Sequence, residues 1–232
     1  MRMTTVEWAS KGSRRWLQLA VNRRPDPLLQ ALRRSGAVPS DASVTWHSPL
    51  EGECFKEYRD GEALKRAGIA PNKLRKPLNS FWPARGPVWD AIGAASDGSA
   101  LFLEAKAHIP EAATPGTKAS PESLISIKKS LQEARRFYAP QATAKWCRTF
   151  YQYANRLAHH YFLTKANGLQ SRLVFLYFVN AHDVEGPASE HEWHGAIRLI
   201  HAALGLPKDL RSFGVFDAFL DVNLLRNAAG SV

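Results

Sequence analysis

The sequence predicts an α/β protein with a mixed central β-sheet flanked by helices. Three observations carry this. Residues 88–109 switch to period-two patterning around a strong turn, and Leu173 to Val179 is an unbroken apolar run of strand length. Elsewhere apolar residues recur at helical spacing between capping and stop signals.

At 232 residues the chain is long enough to bury a core as one generous domain. Its 45% hydrophobic and 22% charged residues exclude a disordered, collagenous or coiled-coil protein. The longest apolar run is far short of the roughly 20 residues that span a bilayer. The first residues hold no apolar stretch of signal-peptide length, which predicts a cytoplasmic protein. Only Cys54 and Cys147 are present, so a zinc ribbon or disulfide scaffold is excluded. The formal net charge of +10 makes a polyanion the natural partner, nucleic acid first and anionic lipid second.

Taken in order, Ser13 can cap a helix from Arg14 to Asn22, and Asp26-Pro27 opens a second that Gly36 closes. Arginine pairs at 14–15, 23–24 and 33–34 make this region a solvated helical surface or a DNA-facing arm. Residues 1–45 are thus expected to be a basic helical extension packed on a core domain of residues 46–232, the whole forming one compact unit. Ser48-Pro49-Leu50-Glu51 has capping-box spacing and predicts a helix through Cys54, Phe55 and Tyr58, bearing Glu51, Glu53 and Glu57. A turn at Asp60-Gly61 precedes a short helix from Glu62 to Ala67. The four prolines of residues 71–87 predict an ordered loop, which also carries Arg85.

From Val88 the alternation predicts a strand, then a turn at Ser96-Asp97-Gly98 and a second strand from Ala100 to about Ile109. Leu101, Leu103 and Ala105 share one face of it; Phe102, Glu104, Lys106 and His108 share the other. Ser120-Pro121 caps a helix whose apolar stripe is Leu124, Ile127, Leu131, Ala134 and Tyr138, leaving Lys128, Lys129, Arg135 and Arg136 for the surface. An aromatic-rich helix is expected from about Thr143 to Lys165. The buried strand 173–179, a helix from about Glu190 to Leu204 and a final apolar segment, Phe213 to Leu225, complete the chain.

No phosphate loop, dinucleotide fingerprint, nucleophile elbow or H-E-x-x-H helix is present. His159-His160 and His191-Glu192-Trp193-His194 lack ligand spacing and read as surface or core histidines. What remains is Asp90, thirteen residues, then Glu104-Ala105-Lys106. Two carboxylates on neighbouring strands of a hairpin can hold a hard divalent cation, with waters and the Ala105 carbonyl completing an oxygen shell. Lys106, two residues on, shares that face and can serve an attacking water or the charge developing on a phosphate. The bland alternative is a solvent-facing salt bridge between Glu104 and Lys106.

In GPVWDAIG and LFLEAKAH the chain resembles the PD-(D/E)XK nuclease superfamily, the restriction-endonuclease-like fold. The resemblance implies an αβββαβ core with extra N-terminal helices and Mg2+-dependent hydrolysis of DNA, Mn2+ substituting. Asp90 and Glu104 would be metal ligands and Lys106 the catalytic lysine. Glu57 would be the auxiliary acid, with Glu53 and Glu51 as alternatives. Trp89 stands where the family's name records a proline. GPVWDAIG, LFLEAKAHIPEA and FYQYANRLAH also resemble a group of bacterial proteins of similar length to which no activity is assigned.

Lys128, Lys129, Arg135, Arg136 and Arg85 are the expected phosphate contacts, and cutting both strands of a duplex favours a homodimer, although no heptad seam marks one. Lys106 is expected to be needed for cleavage but not for folding. The competing readings are a nucleic-acid-binding protein that does not cut and an interaction protein whose charge keeps it soluble. A three-residue loop with Gly98 left-handed sets Ala95 against Ser99 and Asp90 against Glu104; a two-residue turn sends the carboxylates to opposite faces.

Overall fold

The computed structural model describes residues 7–226. In chain order its helices are α1 (Gly12–Asn22), α2 (Pro25–Ser35), α3 (Asp60–Arg66), α4 (Leu78–Phe81), α5 (Ile109–Ala112), α6 (Pro121–Tyr138), α7 (Tyr151–Tyr161) and α8 (Glu190–Leu204). The strands are β1 (Val44–Ser48), β2 (Ala91–Ala95), β3 (Ala100–Lys106), β4 (Ser171–Val179) and β5 (Val215–Asp221). They form one mixed sheet whose spatial order is the sequence order. β1, β2 and β3 are antiparallel, and β3, β4 and β5 are parallel. Each parallel step needs a crossover. α6 and α7 make the first and α8 the second. The class expected from the sequence, α/β with a mixed sheet between helices, is the class observed.

Two helical layers cover the sheet, and side-chain size differs between them. Toward α1 and α2 the sheet presents alanines and aliphatic residues, Ala91, Ala95, Ala105 and Ala218 beside Leu101, Leu103, Val174 and Leu176, with Phe178 the one aromatic among its strand residues buried there. Toward α6, α7 and α8 it presents Phe102, Phe175 and Tyr177, which pack on Tyr153 and Trp193. β4 is the central strand, apolar on both faces as its unbroken run requires. Strand β1 crosses residue 45, and α1 and α2 furnish one whole side of the core.

The hairpin register is the one that the three-residue loop demands. Ala91 pairs with Leu103 and Gly93 with Leu101, the Ala95 amide donates to Ser99, and Gly98 takes φ 87°. The faces of β3 are also as expected.

Several elements differ from expectation. No helix runs from Ser48 to Tyr58. Residues 44–48 form edge strand β1 on β2, only Glu51–Glu53 makes a single 3-10 turn, and Cys54 and Phe55 take φ of 52° and 56°, which no helix contains. Burial of Phe55 and a Tyr58–Trp89 bridge outweigh the capping pattern. β2 starts at Ala91 rather than Val88, because the Trp89 amide donates to Tyr58 instead of to β3. β3 ends at Lys106, where Pro110 opens α5. α7 starts at Tyr151 and not near Thr143; the intervening residues bond outward, Thr117 N–H to the Cys147 carbonyl and the Trp146 indole to the Leu204 carbonyl. The first two helices start earlier than their expected caps, at Gly12 and Pro25, and the Ser13 hydroxyl donates to Glu111 instead of capping.

Trp193 is wholly buried, and its indole donates to the Phe178 carbonyl at 2.8 Å. Trp193→Ala is expected to cost about 3–5 kcal/mol in denaturant unfolding, the range for truncating a large core aromatic. A loss below about 1 kcal/mol would be incompatible with this packing.

Candidate functional site

The site lies where β2 begins and β3 ends. Glu104 sits on the aromatic face of β3 with its side chain only 1% exposed. A carboxylate there must be paired. Arg156 of α7 reaches one of its oxygens through Nε at 2.6 Å and through Nη2 at 2.5 Å, while the Lys106 ammonium bonds the other. Burial alone raises the Glu104 pKa, but the Arg156 and Lys106 charges hold it below the usual carboxylate range. The alternative of a solvent-facing bridge between Glu104 and Lys106 is met in part: the bridge is present but largely buried, with Lys106 12% exposed. Gln152, one helical turn before Arg156, accepts from Lys106 at 2.9 Å.

Asp90 immediately precedes β2, and extending the Ala91–Leu103 register by one residue sets it opposite Glu104. Its Oδ2 accepts the Ala105 N–H at 2.7 Å, in place of the backbone bond that Trp89 gives to Tyr58. The Ala105 carbonyl points to the same side of β3 as that N–H, past the end of β2. Burial, then the Glu104 charge, push the Asp90 carboxyl up to about 7, against the pull of Lys106 and Arg156.

Of the three glutamates between β1 and α3, Glu57 is the one that reaches this field. Burial raises its pKa, the Glu104 charge adds to that, and Arg14 and Arg156 oppose it. It sits in a loop rather than on a helix and pairs with Arg14 of α1 at 3.4 Å. Glu51 is paired with Arg23, and Glu53 with Arg66 at 2.8 Å and the Tyr58 hydroxyl at 2.6 Å. α1 is held over this end of the sheet: the Gly12 amide and the Trp16 indole both donate to Asp183 at 2.8 Å, just beyond β4.

The structure therefore brings together Asp90, Glu104 and Lys106, sets Glu57 near enough for the Glu104 charge to act on it, and adds Gln152 and Arg156, which the sequence did not single out. Their signal was present in FYQYANRLAH, a glutamine and an arginine at i and i+4 on one helix face. Trp89 also has a local reason. Its ring lies 4.9 Å from Phe102 and 5.0 Å below the Arg156 guanidinium, whose Nη2 donates to the Val88 carbonyl. A cavity of about 10 Å3, the size of one water, opens between Glu104, Lys106, Gln152 and Tyr177. The expected phosphate contacts do not join this cluster. Lys128, Lys129 and Arg136 are exposed on α6, Arg135 donates to the Ala144 carbonyl, and Arg85 is exposed in the loop after α4. His159 and His160 are buried as neutral rings, their pKa values lowered by burial to about 3 and about 4.

Comparison with protein-family models, with curated proteins and with solved structures found no match to this chain. Among the described residues no helix is long and apolar enough to cross a membrane.

Two consequences can be measured. Asp90 gains a proton on folding between its ordinary pKa of 3.8 and about 7. Its contribution to stability is intact below about pH 4 and is lost as pH rises through 7. Asp90→Asn, which keeps an acceptor for the Ala105 amide, should gain roughly 2–3 kcal/mol on the native protein between pH 5 and pH 8. Denaturant midpoints at the two pH values decide it, and parallel pH curves would contradict a raised Asp90. The burial of Glu104 also alters the expectation that Lys106 is dispensable for folding. Lys106→Ala should lose about 3 kcal/mol by leaving one carboxylate oxygen uncompensated, whereas Lys106→Gln, which retains a donor, should lose less.

Proposed function

We propose that the protein is a Mg2+-dependent nuclease hydrolysing phosphodiester bonds of nucleic acid, DNA foremost, with Mn2+ able to substitute. The observation that carries this reading is the convergence of Asp90, Glu104 and Lys106 at the ends of β2 and β3, braced by Gln152 and Arg156. These are the residue types that phosphate hydrolysis uses, at the strand ends where α/β sheets commonly carry their sites.

The residues fit a hard cation in one respect that the structure makes concrete. Burial first and the Glu104 charge second raise the Asp90 pKa, and a cation between the two carboxylates would relieve the second of these. Among the described residues no three Asp, Glu, His or Cys side chains form a metal cluster, so Asp90, Glu104 and the Ala105 carbonyl would be the protein donors, with water completing the shell. A cation bound there supplies Lewis-acid polarisation of the scissile phosphate and a more acidic water. Glu104 fixes the Lys106 ammonium, and Gln152 aims it, so that it can neutralise charge on the phosphate or partner the attacking water. Glu57 is the auxiliary acid, and Arg14 beside it offers a phosphate contact at the rim. Exposed Lys128, Lys129 and Arg136 on α6 would add sequence-independent phosphate contacts, with Arg135 and Arg85 at their margins. One site cuts one strand at a time, so cutting both strands of a duplex together favours two copies, a homodimer. We read the protein as cytoplasmic, where Cys54 and Cys147 remain free thiols.

One observation favours a second reading. Both oxygens of Glu104 already carry cationic partners, an arrangement that also suits a nucleic-acid-binding protein that does not cut.

Three measurements separate the readings. Lys106→Gln should retain DNA affinity within about threefold while losing Mg2+-dependent cleavage by at least 100-fold, the scale of removing one electrostatic stabiliser. Wild-type protein that cuts neither DNA nor RNA with Mg2+ or Mn2+ would leave the second reading standing. Titration with Mg2+ at pH 6.5 should release protons from Asp90, and Asp90→Ala should abolish both the heat and the release. Alanine at Lys128, Lys129 and Arg136 should weaken binding to all DNA sequences alike and lower the salt slope by about 0.9 per lost contact. An unchanged slope would move the nucleic acid toward the N-terminal arginines.

A further inference from the structure

On the side of the sheet away from β2, the outer edge of β5 forms the floor of an open groove of about 930 Å3. Arg34 and Ser35 of α2 form one wall and His194, Ile197 and Arg198 of α8 the other. Backbone alternation shows which groups face it. The Leu173 amide donates to the Gly214 carbonyl, so residues 214, 216, 218 and 220 turn their backbone groups to β4, and 215, 217 and 219 turn theirs outward. Two bonds agree: the Val215 amide donates to the Leu210 carbonyl, and Arg34 donates to the Phe219 carbonyl at 3.2 Å. Between them the Val215 carbonyl, both backbone groups of Asp217 and the Phe219 N–H have no partner among the described residues. They alternate acceptor, donor, acceptor, donor. An unpaired edge of this kind is a template for another strand.

The wall residues of α8 run from Glu190 to Ala202, about 18 Å of helix, which an extended peptide covers in about five residues. Four cations, Arg34, Arg198, Lys208 and Arg211, line the groove against three acids, Glu190, Asp209 and Asp217; Arg211 is paired with Asp209 at 2.6 Å, and Arg34, Arg198 and Lys208 have no acidic partner among the described residues. Ile197, Leu206, Leu210 and Phe219 supply apolar patches between these charges. A nucleic-acid strand would meet the cations but has no use for alternating amide donors and carbonyl acceptors at peptide spacing. We propose that this groove binds an acidic peptide segment of a partner protein, added in extended form as a sixth strand on β5.

A fluorescein-labelled seven-residue peptide alternating Glu and Val tests this against the full chain, with a Lys/Val peptide as control, by anisotropy and by hydrogen exchange of the Asp217 and Phe219 amides. The acidic peptide is expected to bind at least tenfold tighter than the basic one and to slow exchange at both amides at least tenfold. Arg198→Glu with Lys208→Glu, both exposed, should weaken it at least tenfold with an unchanged thermal midpoint. Four results would overturn the proposal: equal or absent binding of the two peptides, binding that leaves the two amides unprotected, protection that grows with protein concentration alone and so belongs to a second copy, or protection by an oligonucleotide instead. None of these depends on whether the site at Glu104 cuts nucleic acid.

Discussion

A carboxylate buried in the middle of an aromatic sheet face is the constraint on which the rest depends. Glu104 has almost no contact with water, and removing it from solvent costs several kcal/mol before any partner is counted. That cost is offset only if Arg156 and Lys106 arrive together. Arg156 must then come from a helix lying across β3, so α7 is fixed in rotation, and Gln152 lands one turn away on the ammonium of Lys106. Arg156 also reaches the Val88 carbonyl, Asn155 and the ring of Trp89, so one guanidinium ties α7, β3 and the approach to β2. Asp90 is held in that approach by a backbone amide, and burial, joined by the charge of Glu104, raises its proton affinity.

The same arrangement suits a structural role as well as a chemical one, and that is why the site's own geometry supports both a cutting and a non-cutting reading. A caged carboxylate is a stable feature of a core. A caged carboxylate beside a second one that is protonated near neutrality is a place where charge is poised to change. The N-terminal helices belong to this design too. α1 is anchored on Asp183 and Glu111, and it carries Arg14 to Glu57 at the rim.

Much of the architecture was legible in the sequence where patterning is strong and local. The period-two alternation around Ser96-Asp97-Gly98 led to the right hairpin and left two registers open, of which the structure takes the one with the three-residue loop and Gly98 left-handed. The apolar run of β4, the capped helix α6 and the helix α8 were equally plain. What failed was local signal overruled by distant contacts. Ser48-Pro49-Leu50-Glu51 has a helix start's spacing, but β2 offers residues 44–48 a strand partner almost fifty positions away. Residues 143–150 read as helix, yet bonds to Thr117 and Leu204 hold them open. At the site, Asp90, Glu104 and Lys106 were visible because they interrupt an apolar strand pattern. Gln152 and Arg156 were not singled out, because polar residues on a helix ordinarily face water and their i, i+4 spacing does not by itself mark them as buried.

The separation in sequence of Glu104 from its main counter-charge also bears on how the chain is made. Arg156 follows Glu104 by 52 residues, about 3–10 s of synthesis at ordinary elongation rates. The parallel partner β4 comes later still. A nascent β2–β3 hairpin therefore emerges with two apolar faces and an uncompensated acid. It cannot close into the sheet until α7 and β4 have left the ribosome. Translation pauses or stalled fragments ending before Arg156 would present this hairpin as an aggregation-prone ribbon, a natural client for a chaperone acting at the ribosome.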